Sequence, residues 1–115
     1  MNREALIALM RDEFGSSAEY LWARYPEYCV FRHGHNRKWF AVLMRVPAEK
    51  IGLAGAPVDI LDVKCDPLLI GSLLKKPGYL PAYHMNKTAW LTVLPDMLSD
   101  GELFELISLS HELTR

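Results

Sequence analysis

The spacing of apolar residues predicts helices at both ends of the chain and strands between them. Within residues 3–14 the apolar positions recur every three or four residues, which is typical of an amphipathic helix: Leu6, Ile7, Met10 and Phe14. Gly15-Ser16-Ser17 is expected to end this helix. Residues 16–27 are predicted to form a connection, because the proline after Tyr25 disfavours helix there.

A β-hairpin is predicted over residues 28–46. Two runs rich in aromatic and β-branched residues flank Gly34-His35-Asn36, which we expect to form the turn. In the second run, one alternating set of apolar residues is expected to face the core: Phe40, Val42, Met44 and Val46. The other set is also largely apolar, so both faces of the sheet are expected to be partly covered.

The rest of the chain is predicted to contain three more strands and two more helices. A loop over 47–57 leads to a strand over 58–65, and Asp66-Pro67 is a strong helix start. Two short strands are predicted over 79–84 and 89–94, and Ser99 and Glu102 have the spacing of a capping box. The order α-β-β-β-α-β-β-α predicts an α+β fold in two layers, with an antiparallel sheet covered by helices, in one domain over residues 1–115.

Composition and charge restrict the function classes. The net charge is −1, whereas a dedicated nucleic-acid binder usually has an excess of Lys and Arg, so any DNA binding must come from a local patch. No apolar run resembles a signal peptide or reaches the roughly 20 residues of a membrane span. Cys29 and Cys65 lie in apolar runs and are expected to be buried and reduced. These features predict a cytoplasmic protein that does not enter a membrane.

The hairpin is the first candidate for binding chemistry. It carries four cations and no acidic residue, and we interpret these as contacts to DNA phosphates: Arg32, Arg37, Lys38 and Arg45. Lys87 is expected to extend this patch. The structural alternative is an ordinary charged edge, which discourages pairing between the sheets of different molecules.

The second candidate is a short segment dense in polar and aromatic residues: Tyr83, His84, Asn86, Lys87 and Trp90. In one interpretation it is a turn with a packed tryptophan, in which Asn86 adopts a positive φ. In the other it lines a pocket for an anionic or planar group, with Trp90 as a stacking surface. Neither catalytic residues nor a cofactor or metal site are predicted: Gly34 places His33 and His35 at a turn, and Asp59 and Asp62 lie on opposite sides of a strand.

Four stretches carry a resemblance to a known family. "VKCDP" at 63–67, "YHMNKTAW" at 83–90, "LSDGELFELISLSHEL" at 98–113 and "R..NRKWFA" at 32–41 resemble the MmcQ/YjbR family. The resemblance implies a frataxin-like and secretion-chaperone-like fold, and a double-wing arrangement in which β-hairpins approach DNA. It implies no enzymatic reaction. The chain departs from the family pattern at Pro95-Asp96-Met97 and at Ser110-His111.

The sequence therefore predicts a small binding module whose leading partner is double-stranded DNA, bound through the basic hairpin and Lys87. The alternative is a domain that binds a protein or a small anionic ligand through the segment from His84 to Trp90. A secretion-chaperone-like fold supports a protein partner by analogy alone.

Overall fold

The computed structural model describes all 115 residues and confirms the predicted α+β class and element order. The helices are α1 (Arg3–Phe14), α2 (Pro67–Leu73) and α3 (Asp100–Thr114). The strands are β1 (Cys29–Arg32), β2 (Trp39–Val46), β3 (Val58–Lys64), β4 (Tyr79–Pro81) and β5 (Trp90–Val93). They form one antiparallel sheet in the order β1-β2-β3-β5-β4. Short 3₁₀ turns lie between β2 and β3, at Ala48–Ile51, and between β5 and α3, at Pro95–Met97.

The helix ends follow the local sequence. The Asp66 carboxylate accepts a hydrogen bond from the Leu68 N–H at 2.9 Å, and the Ser99 hydroxyl accepts one from the Glu102 N–H at 3.1 Å, so both predicted caps are formed. Helix α1 ends at Gly15, whose φ of 63° is a left-handed conformation that glycine adopts without strain. No helix in the chain is both long and apolar enough to span a bilayer.

The main core lies between one face of the sheet and helices α1 and α3. Its largest side chains have no solvent exposure: Leu6, Met10, Phe31, Phe40, Leu43, Leu61, Leu91, Leu103 and Ile107. Cys29 and Cys65 belong to the same cluster and are free thiols. We call this side of the sheet the helix face.

The opposite side of the sheet, which we call the second face, carries a smaller apolar cluster. Val42, Met44 and Val46 belong to it, so the prediction that they face the same core as Phe40 was wrong. The reason is an irregularity in the pairing of β1 with β2, where Phe40 is the extra residue and the alternation shifts by one position. The expectation that both faces are partly covered is confirmed.

One edge of the sheet is already hydrogen-bonded to another part of the chain, and the other edge is short. Along β1, Glu19 exchanges two backbone hydrogen bonds of 3.0 Å with Val30. The Ser16 hydroxyl accepts from the N–H of Arg32 and donates to its carbonyl, both at 3.1 Å. At the other edge β4 has three residues and ends at Pro81, which has no N–H to offer.

Candidate functional site

The second face is covered by loops instead of helices, and these loops leave two adjoining cavities. Residues 20–28 pack against β1 and β2 through Trp22 and Tyr28, while residues 82–89 connect β4 to β5. The 3₁₀ turn Ala48–Ile51 supplies a third wall. Loops that are positioned by a rigid sheet often carry binding residues. Side chains from these three segments can therefore converge on a ligand.

The segment 82–89 is held by its asparagine. The Asn86 side-chain oxygen accepts hydrogen bonds from the N–H and the hydroxyl of Thr88, at 2.9 and 2.8 Å. The Asn86 carbonyl accepts from the N–H groups of Ala89 and Trp90. The predicted turn is therefore present, but the residue with positive φ is His84, at 63°, and not Asn86. Asn86 shapes the turn through its side chain, as an Asx turn does.

The first cavity, the aromatic pocket, has a volume of about 260 Å³ and is lined by five aromatic residues: Trp22, Tyr25, Tyr28, Trp39 and Tyr83. Val42 and Met44 from β2 also line it, with His84 and Met85 at its side. The ring of Trp22 meets those of Tyr28 and Trp39 edge to face, each at 5.9 Å between centroids. These contacts fix the ring orientations, since edge-to-face packing is favourable for aromatic pairs.

The second cavity, the lysine groove, has a volume of about 450 Å³ and adjoins the aromatic pocket. Both cavities are lined by Tyr83 and His84, whose rings lie 4.0 Å apart between centroids. The groove adds Lys50 and Lys87, and no acidic side chain lines it. Both lysines are exposed and neither forms an ion pair.

A buried carboxyl group lies on the same face of the sheet. Asp62 has no exposed surface, and its Oδ1 accepts a hydrogen bond from the Thr92 hydroxyl, which accepts in turn from the Tyr83 N–H at 2.8 Å. Its Oδ2 has no hydrogen-bond partner. Burial raises the pKa of Asp62 to about 7, although Thr92 and the charge of Lys87 act in the opposite direction.

The hairpin cations differ in their availability. Arg32 is paired with Glu19, and Arg45 with Asp59 through two hydrogen bonds of 3.0 and 3.1 Å. The partners Glu19 and Asp59 lie outside the hairpin, so the absence of acids within residues 28–46 did not reveal this neutralisation. Asp59 is also bound by Arg3 from α1.

Arg37 and Lys38 lie at the tip of the hairpin, exposed and outside every ion pair. Arg37 has a φ of 61°, a left-handed conformation that is uncommon for a side chain of this size. Lys87, which was predicted to extend their patch, lines the lysine groove beside His84.

The hairpin turn is anchored to the end of α3. His33 Nε2 hydrogen-bonds the Thr114 hydroxyl at 2.9 Å, and the Asn36 side-chain amide donates to the Thr114 carbonyl at 3.0 Å. His111 packs against His33, at 4.2 Å between ring centroids, and against Phe40. Burial lowers the pKa of both His33 and His111.

Trp90 lines neither cavity. It begins β5 and is 9% exposed, whereas the stacking surfaces of the aromatic pocket come from Trp22 and Trp39. Residues 16–27 were predicted only as a connection, so Trp22 was missed. The density of aromatic residues in "YLWARYPEY", residues 20–28, was the available signal, because a plain surface connection rarely carries so many large rings.

These observations define a class: a small α+β protein whose sheet has one face under helices and the other under loops that form an aromatic pocket and a lysine groove. The chain belongs to the YjbR family, whose family model matches residues 14–113. The resemblance to the MmcQ/YjbR family inferred from the four sequence stretches is thereby confirmed.

Related proteins cover the whole chain. The uncharacterized protein YyaQ of Bacillus subtilis (strain 168) is 36% identical over 117 residues, which span 100% of this chain and 99% of YyaQ. A crystal structure of a Pseudomonas syringae protein is 48% identical, superimposes with a TM-score of 0.97 and is covered in full by this chain. The Deinococcus radiodurans protein DR2400 is more distant, with 25% identity and a TM-score of 0.62 over 85% of this chain and 67% of its own.

Proposed function

We propose that this protein is a binding module that holds the planar ring of a small ligand in the aromatic pocket. The observation that carries the proposal is that five aromatic side chains surround one cavity on the second face of the sheet. Ligand pockets are concave and mostly apolar, with a few polar groups that fix orientation. This pocket has that composition, with His84 as its polar member.

The dimensions of the pocket support a ring and not a long chain. A volume of about 260 Å³ lies below the range of about 300–1,000 Å³ that is usual for drug-sized ligands. The floor, Val42 and Met44, is nearly inaccessible to solvent. An aromatic ring that enters the pocket contacts the faces and edges of several protein rings in place of water. Each contact between two rings is more favourable than the burial of its apolar surface alone would make it.

The three tryptophans supply an internal control for the test. Indole N–H resonances of Trp22, Trp39 and Trp90 can be followed by two-dimensional NMR while adenosine, a neutral planar probe, is added. Only Trp22 and Trp39 line the pocket, so their resonances should shift and that of Trp90 should stay in place.

A pair of alanine variants extends the test. Trp22→Ala should abolish the adenosine-dependent shift of the Trp39 resonance. Tyr20→Ala is the matched control, because Tyr20 lies on the same segment, is 56% exposed and does not line the pocket. Equal shifts of all three indoles, or no shift up to millimolar probe, would count against the proposal.

A second candidate function is binding of double-stranded DNA by a double-wing arrangement, and the exposed, unpaired Arg37 and Lys38 favour it. Removing one phosphate-binding cation should reduce the salt slope of log affinity by about 0.9 on duplex DNA. Labelled duplexes should be titrated at several salt concentrations with the natural protein and with the double variant Arg37→Ala, Lys38→Ala. The double variant Arg11→Ala, Arg24→Ala removes the same charge elsewhere. Absence of binding by the natural protein rules this candidate out, and an unchanged slope in the hairpin variant excludes the hairpin tip as the contact surface.

A further inference from the structure

We propose that the ligand is a nucleoside phosphate, whose base enters the aromatic pocket and whose phosphate lies in the lysine groove between Lys50 and Lys87. This inference rests on the proposed ring-binding function and adds the charged part of the ligand.

The two cavities form one site because they share a wall. Tyr83 and His84 line both, so a ligand with its ring in the aromatic pocket and its charged group in the lysine groove would lie against these two side chains. The groove, about 450 Å³, is the larger of the two and accommodates the more bulky, solvated part of a ligand. The two cavities also differ in chemistry. Apart from His84, only apolar and aromatic side chains line the aromatic pocket, whereas the lysine groove is also lined by cationic side chains.

The charges of the groove are suited to an anion. Lys50, from the 3₁₀ turn, and Lys87, from the segment 82–89, line the same cavity and have no acidic partner there. The acidic group that Lys87 influences is Asp62, which is fully buried, and Lys87 lowers its pKa only against a larger effect of burial. The two ammonium groups have no acidic partner in the groove and lie beside the imidazole of His84. They can donate hydrogen bonds to the oxygens of a phosphate group.

His84 lies at the junction of the two cavities in an unusual backbone conformation. Its φ of 63° is one of two positive values among the non-glycine residues. A left-handed conformation is unfavourable for a residue other than glycine, and such residues concentrate at ligand sites. In this position His84 can face both the base and the phosphate of one ligand.

The test compares three probes on the natural protein: adenosine, adenosine 5′-monophosphate and inorganic phosphate, each followed by the tryptophan resonances and by the backbone amides of residues 82–88. The monophosphate should bind at least about tenfold more tightly than adenosine at low salt, because its phosphate adds charge-assisted contacts. Inorganic phosphate should shift the amides of residues 82–88 and leave the Trp22 and Trp39 indoles unchanged.

A charge-matched pair of variants locates the phosphate. In the double variant Lys50→Ala, Lys87→Ala the affinity ratio of monophosphate to adenosine should fall to near one, while the affinity for adenosine is unchanged. The double variant Arg11→Ala, Lys75→Ala removes two exposed cations elsewhere and should keep the natural ratio. All four substituted residues are exposed, so the melting temperatures should match that of the natural protein.

The outcomes separate this inference from the function on which it rests. Equal affinities for adenosine and its monophosphate in the natural protein overturn the phosphate site but leave the ring pocket in place. A preference that survives loss of Lys50 and Lys87 also overturns it, since the phosphate then binds elsewhere. Absence of binding by both probes removes both proposals. A short single-stranded oligonucleotide that competes more strongly than the monophosphate identifies a nucleic-acid strand, not a free nucleotide, as the source of the ligand.

Discussion

Replacing Asp62 by asparagine should remove a pH dependence of stability that originates on the second face of the sheet. Burial raises the pKa of the Asp62 carboxyl from 3.8 to about 7. The folded value thus lies above the unfolded one. The contribution of this group to stability is therefore fully present below about pH 4 and is lost as the pH rises through about 7.

The magnitude follows from proton linkage. Between about pH 5 and pH 7 the unfolded chain has ionised Asp62 while the folded protein retains the proton, so each pH unit lowers stability by about 1.36 kcal/mol. Because the folded carboxyl itself ionises around pH 7, the slope then levels off, and the total loss between about pH 5 and pH 8 is about 2.5 kcal/mol. Asparagine does not ionise, and its carbonyl oxygen can still accept the hydrogen bond from Thr92.

Urea unfolding followed by tryptophan fluorescence, at several values between about pH 5 and pH 8, measures this loss. The quantity to compare is the difference in unfolding free energy between the natural protein and Asp62→Asn, because the titration of His33 and His111 then cancels. That difference should shift by about 2.5 kcal/mol in favour of the variant as the pH rises. Asp59→Asn is the control: Arg45 and Arg3 hold the pKa of Asp59 below its usual value despite partial burial, so its effect should not vary over this range. A constant difference for Asp62→Asn would refute the reasoning.

Two further predictions concern packing and the histidines. Trp90→Ala should cost about 3–5 kcal/mol of unfolding free energy, the usual loss for a buried aromatic residue, and a loss below about 1 kcal/mol in urea unfolding would exclude a packing role. His33 and His111 have pKa values lowered mainly by burial, so the stability they contribute is present above about pH 6.5 and is lost as the pH falls below it. His111→Phe should therefore lose less stability than the natural protein between about pH 7 and pH 5 in the same assay, and an equal loss would contradict this assignment.

The order of elements was predictable because it depends on local patterns. Apolar spacing located α1 and the hairpin, and the caps at Asp66 and Ser99 located the starts of α2 and α3. The orientation of β2 was not predictable in the same way. The extra residue at Phe40 changes which side chains face the helices, and that shift depends on how β1 pairs with β2.

The candidate site was harder to predict because its parts are distant in the sequence. Trp22, Trp39 and Tyr83 converge only when the sheet has formed and the loops cross it. The ion pairs of Arg32 and Arg45 were hard to predict for the same reason, because their acidic partners lie outside the hairpin in the sequence. The segment from Tyr83 to Lys87 was recognised from sequence, but its neighbour Lys50 was not.

The occupied edges of the sheet limit how this protein can join another polypeptide. Peptide recognition by strand addition requires a free row of N–H and C=O groups along an edge. Ser16 and Glu19 already use those groups on β1, and β4 offers a row of only three residues that ends in a proline. We therefore expect the folded protein to resist self-association into extended sheets, even at high concentration and despite a net charge near zero. A polypeptide partner is therefore expected to dock through side-chain contacts and not by adding a strand.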